Sequence, residues 1–141
     1  MCYSLLGFVN DDVNFTEFQK ICALHNNYYE HLDKFDADIP HHFPRLEGTI
    51  GFVLHQYCDC DSAIGRNDAS QPELEDYLLW LHELRQCSSI RFLGLMKAWD
   101  PTKEIPAVQT LEVGKVNAHY LASMRDDTIY CLAYASDRIR E

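Results

Sequence analysis

A chain of 141 residues that is 47% apolar has material for one ordinary core, so residues 1–141 read as a single globular domain. Its longest apolar runs, such as Ile50–Leu54, fall far short of the about 20 residues a membrane helix needs. A net charge of −10, from 22 acids against 12 bases, repels phosphate backbones and anionic lipids, which argues against nucleic-acid and membrane partners; such a surface suits solubility, the commoner case, or a basic protein partner.

The opening Met1–Val9 has no basic start and no small-residue cleavage site, so it reads as a first strand, Cys2–Val9, and not as a secretory signal. Asn10-Asp11-Asp12 is a run of turn formers that ends it. A helix follows, with Asn14 and Glu17 spaced as a capping box and Val13 and Phe18 at the positions of a hydrophobic staple. Phe18, Ile21, His25, Tyr28, Leu32 and Phe35 then recur at intervals of three and four, which predicts that this helix runs to about residue 34.

Residues 36–47 contain Pro40 and Pro44, each removing an amide donor, and read as a loop. Residues 48–57 form a second strand, expected to be central, and 58–71 a polar loop. Ser70 and Glu73 make a second capping box with Pro72 in the first turn, and Leu74, Tyr77, Leu78, Leu81 and Leu84 predict a helix over 71–86. Residues 90–96 are a third strand and 105–113 are open between strand and loop. Val116, Tyr120, Leu121 and Met124 suggest a short helix over 114–124, and 128–135 a closing strand. The order β-α-β-α-β-α-β predicts an α/β fold with about four strands in a largely parallel sheet, helices packed on it; an α+β sandwich with an antiparallel edge fits the same elements.

The densest chemistry is His55-Gln56-Tyr57-Cys58-Asp59-Cys60-Asp61-Ser62, at the exit of the second strand, where ligands collect in open α/β sheets. Cys58, Cys60, His55 and one of His41 or His42 supply the soft donors that a tetrahedral zinc site requires. Structural zinc sites space paired cysteines by two to four residues and add a second pair, which this chain does not show. A redox pair is the other active reading, because a disulfide across one intervening residue is strained and easily reduced. Asp59 and Asp61 oppose a thiolate, however, and the plainer reading packs Cys58 inward while the acids shape the turn.

Cys2 would be an N-terminal nucleophile only with Met1 removed, and otherwise belongs to the strand. His25, among aromatic residues on the apolar helix face, reads as a neutral histidine with one satisfied hydrogen bond; Trp80 and Trp99 read as packing groups. The acids Asp59, Asp61, Asp68, Glu73, Glu75 and Asp76 gather at the start of the 71–86 helix, where the helix dipole favours them, and lack the spacing of a calcium loop. No phosphate loop, nucleophile elbow or zincin pair occurs in the sequence.

The Met1-Cys2 opening strand, the Cys58-x-Cys60 loop after a later strand, and the helix and strand beyond it resemble a group of short uncharacterised bacterial proteins. Those tend to carry glycine beside the loop cysteines where this chain has Asp59 and Asp61. The likeness covers Met1–Phe8 and Tyr57–Leu95, implies no known activity, and draws attention to Cys58 and Cys60.

With no recognisable catalytic signature, the expected function is a small non-catalytic binding or regulatory domain with an acidic protein-interaction surface. The alternative is a metal-binding or thiol-redox protein built on the Cys58/Cys60 loop and its neighbouring histidines. Six cysteines without an export signal are expected to be free thiols in the cytoplasm.

Overall fold

The computed structural model describes residues 4–28, 30–31, 49–55, 62–66, 71–98, 108–126 and 128–134. Among them are six strands, β1 (Ser4–Asn10), β2 (Glu30–His31), β3 (Thr49–Val53), β4 (Phe92–Ala98), β5 (Val108–Glu112) and β6 (Ile129–Ala133). Three α-helices accompany them, α1 (Phe15–Leu24), α2 (Gln71–Glu83) and α3 (Ala118–Ala122). Single 3₁₀ turns at Leu84–Gln86 and Val113–Lys115 complete the elements.

The fold is α+β, and the sheet differs from the largely parallel, four-stranded expectation. Among the described residues it has six strands in the order β2-β3-β1-β4-β6-β5, of which only β5 and β6 are parallel neighbours. The alternation of strands and helices misleads because β1 lies between β3 and β4 and runs antiparallel to both. β3 and β4 therefore run in the same direction, joined through α2, but with another strand inserted between them: a split β-α-β arrangement. β5 and β6, linked through α3, are the one adjacent pair that follows the parallel rule.

Register places Leu5, Val9, Phe52, Leu93, Leu95, Tyr130 and Leu132 on one face of the sheet. They share a core with Phe18 of α1, Trp80 and Leu81 of α2, and Leu121 of α3, so the helices lie on that face. Leu6, Phe8, Met96 and Ile129 are also buried, on the opposite face, which is why β1 reads as an almost unbroken apolar run. Asn10 closes that strand. Its buried amide accepts from the Arg91 N–H at 2.8 Å and donates to the Ser89 carbonyl at 3.0 Å, tying β1 to the turn before β4.

α1 begins as its sequence predicts: Asn14 Oδ1 accepts from the Glu17 N–H at 3.2 Å, and Val13 and Phe18 are buried. Its end does not follow the apolar spacing. The helix stops at Leu24, ten residues short of the expected end, because Asn26 turns left-handed with φ 57°. The Asn26 N–H then bonds to the Ala23 carbonyl at 3.2 Å and the Asn27 N–H to the Cys22 carbonyl at 2.9 Å, the two bonds of a Schellman motif. Asparagine takes the place glycine usually fills. Tyr28, which extends the periodicity, instead stacks on Phe52 at 5.5 Å between ring centres. Asn26→Ala is expected to lower stability by about 1 kcal/mol, since a Cβ-bearing residue without a compensating amide is disfavoured at positive φ, whereas Asn26→Gly leaves it unchanged or slightly higher. Urea unfolding of the two variants checks this.

The remaining elements depart from expectation less. The predicted 71–86 helix is α2 plus its 3₁₀ turn, with Ser70 outside the described residues. The segment open between strand and loop contains β5, and the 114–124 helix is shorter, starting where Asn117 Oδ1 accepts from the Tyr120 N–H at 2.8 Å. No helix among the described residues is long and apolar enough to cross a membrane.

Candidate functional site

A cleft of about 470 Å³ opens between the end of α1, the first half of α2 and the turn at residues 62–66. The first wall follows from the Schellman motif, which ends α1 early and presents Leu24, Asn26 and Asn27 to the cleft. Leu24 is 77% exposed at this rim. His25 joins this wall to α2: its Nε2 lies 2.7 Å from Glu83 Oε2, with both side chains partly buried. The expectation of a histidine with one satisfied bond holds in its geometry, and its partner is a carboxylate.

The turn at 62–66 is held from beneath. Buried Lys97 of β4 donates from Nζ to the Ile64 carbonyl at 3.2 Å, and the Gly65 N–H donates to the Leu121 carbonyl at 2.8 Å. Gly65 has φ 79°, and a Cβ there would come within 2.9 Å of the Met124 carbonyl oxygen, so this position demands glycine. Ser62 Oγ accepts from the Ile64 N–H at 3.3 Å and lies 3.3 Å from the Tyr77 hydroxyl across the cleft.

α2 supplies Glu73, Asp76 and Tyr77, which share one side of the helix because they are three and four residues apart. Neither lysine nor arginine lines the cleft among the described residues, and Asp76 has no hydrogen-bond or ion-pair partner among them. Two of the acids expected to serve the helix dipole, Glu73 and Asp76, thus also face a concavity, where a low-dielectric wall concentrates their field.

Of the predicted metal or redox residues, His55 is described, and Cys58, Cys60, His41 and His42 lie outside the described residues. His55 Nε2 is 3.1 Å from Asn27 Oδ1, and its ring stands 6.4 Å from that of Tyr77. Of the described residues flanking the Cys58/Cys60 segment, Ser62 lines the cleft, and His55 touches two residues that do, Asn27 and Tyr77. No group of three or more metal-binding side chains occurs among the described residues. Cys22, Cys87 and Cys131 are in no disulfide. Burial pushes Cys22 up to about 12 and Cys131 upward as well, which keeps both protonated and unreactive at neutral pH.

Asn26 and Asn27 are the polar cleft residues that sequence reasoning does not single out, whereas Ser62 falls in the segment it marks and Tyr77 on the helix face it predicts. The signal available was the adjacent Asn26-Asn27 pair, two turn formers inside an apolar helical pattern. Comparison with protein-family models, curated proteins and solved structures finds no match to this chain.

Proposed function

We propose that this domain is a non-catalytic binding or regulatory unit that takes a basic segment of a partner protein into the cleft between α1 and α2. The observation that carries this reading is the Asp76 carboxylate, which has no partner among the described residues, one helical turn beyond Glu73 in a cleft lined by no described lysine or arginine. A chain charge of −10 extends the same field over a longer range, so a basic partner is attracted before it makes contact. Exposed Leu24 offers an apolar contact at the rim, suited to the aliphatic stem of a lysine or arginine.

Titration of the full chain with a lysine-containing peptide and its glutamate counterpart tests the proposal. The lysine peptide is expected to bind, more weakly as salt rises, and the glutamate peptide is not. Asp76→Asn should weaken the lysine peptide about fivefold, the scale of one partly exposed ion pair. Asp11→Asn, on the β1–α1 turn, should leave binding unchanged. Equal binding of both peptides, or no effect at Asp76, would discard the proposal.

A further inference from the structure

We infer that the cleft reads the main chain of its basic partner, with the Asn27 side-chain amide donating to a backbone carbonyl while Asp76 takes the cationic side chain beside it. This rests on the binding reading above and identifies what that site recognises.

Asn27 is only 5% exposed, yet it lines the cleft. Its backbone N–H is used by the Cys22 carbonyl, and its Oδ1 by His55 Nε2 at 3.1 Å. The amide nitrogen, Nδ2, has no partner among the described residues. It is also not a sealed orphan: the one buried side-chain nitrogen or oxygen without a partner among the described residues is Trp80 Nε1. Nδ2 therefore keeps contact with the space outside, and the cleft is the space that Asn27 lines. The bond from His55 holds the amide plane, so the donor is oriented before any ligand arrives and little side-chain freedom is lost on binding.

The donor and the carboxylate together narrow the ligand. A metal ion or a plain amine satisfies Asp76 but offers no acceptor to Nδ2. A carboxylate or phosphate satisfies Nδ2 but is repelled by Asp76 and Glu73. A peptide carrying lysine or arginine presents both in one residue, a neutral carbonyl acceptor and a cation on a flexible stem. A cleft of about 470 Å³ falls within the range of small-ligand sites and admits a few residues of extended chain.

The test uses the ¹⁵N-labelled full chain and two dications: an acetylated, amidated peptide with two lysines, and 1,5-diaminopentane, which has no hydrogen-bond acceptor. The wild-type chain should prefer the peptide by about tenfold, and the Asn27 side-chain amide resonances should move downfield with the peptide alone. Asn27→Asp retains an oxygen for His55 but removes the donor, so it should abolish that preference while the diamine binds at least as well. Equal affinity for both dications, or an Asn27 amide that does not respond to the peptide in the wild-type chain, overturns the inference and leaves the acidic-cleft reading standing. Failure of both dications to bind, or binding indifferent to Asp76→Asn, overturns the two together. The amide resonance is read in the wild-type protein, so the outcome does not depend on the variant folding.

Discussion

Gly7→Val is expected to destabilise the protein by about 3 kcal/mol, at the upper end of the cost of overpacking a core. Gly7 lies at the middle of the central strand, paired with Phe52 on one side and Leu95 on the other. The Phe52 ring covers it so closely that a Cβ at residue 7 would come within 2.6 Å of one ring carbon and 2.8 Å of another. The ring has nowhere to retreat. Phe18 meets it edge-on at 5.3 Å, Tyr28 stacks on it at 5.5 Å, and it is fully buried. A smaller side chain at residue 52 should relieve the overlap, so Phe52→Leu, itself costing on the order of 1–2 kcal/mol through the cavity it leaves, should cost less or nothing when Gly7 is already valine. Urea unfolding of the two single variants and the double variant measures the coupling. Strict additivity would mean that the ring does not cover Gly7.

How far the sequence discloses this fold depends on whether the deciding interaction is local. The start of α1 is legible because Asn14, Glu17, Val13 and Phe18 fix it within six residues, and α2 because a long apolar spacing is bounded by turn formers. The end of α1 is not, since the apolar spacing continues through Tyr28 while the chain has already left the helix at Asn26. Periodicity records which side chains are apolar; it does not record that Tyr28 is needed against Phe52. Strand direction fails for a similar reason. Placing β1 between β3 and β4 is a long-range choice that no segment of the chain announces, and β2 is two residues long, too short to carry a pattern. The candidate site was half visible. His55 and the acids of α2 stand out in the sequence, but the apolar spacing puts Asn27 inside a helix, which gives no sign of its bond to His55. The helix dipole accounts for Asp76 locally and does not report that it also faces the cleft.

A second large effect is expected at alkaline pH. Burial is the main force on the Cys22 thiol, the Trp80 indole N–H, short of hydrogen-bond geometry, opposes it, and the neighbouring Cys87 adds a smaller upward push; the outcome is a thiol pushed from 9.0 up to about 12. The folded protein therefore holds this proton more tightly than the unfolded chain does. Below pH 9 both states are protonated and the contribution to stability is complete. Above pH 9 the unfolded chain ionises first, and stability falls by about 1.4 kcal/mol per pH unit, amounting to about 4 kcal/mol by the point where the folded thiol also ionises. Tyr28 and Tyr120 are raised by burial too and act in the same direction above pH 10, so the informative quantity is the difference between proteins. Cys22→Ala should be the less stable protein at about pH 8, having lost a buried sulfur, yet fall less steeply, so that the gap closes by about pH 10.5. Parallel stability curves for the two proteins would mean that Cys22 does not sit as a protonated thiol in the core against Trp80. The same burial predicts that brief alkylation of the native protein leaves Cys22 unmodified and that denaturant exposes it, which peptide mapping reads directly.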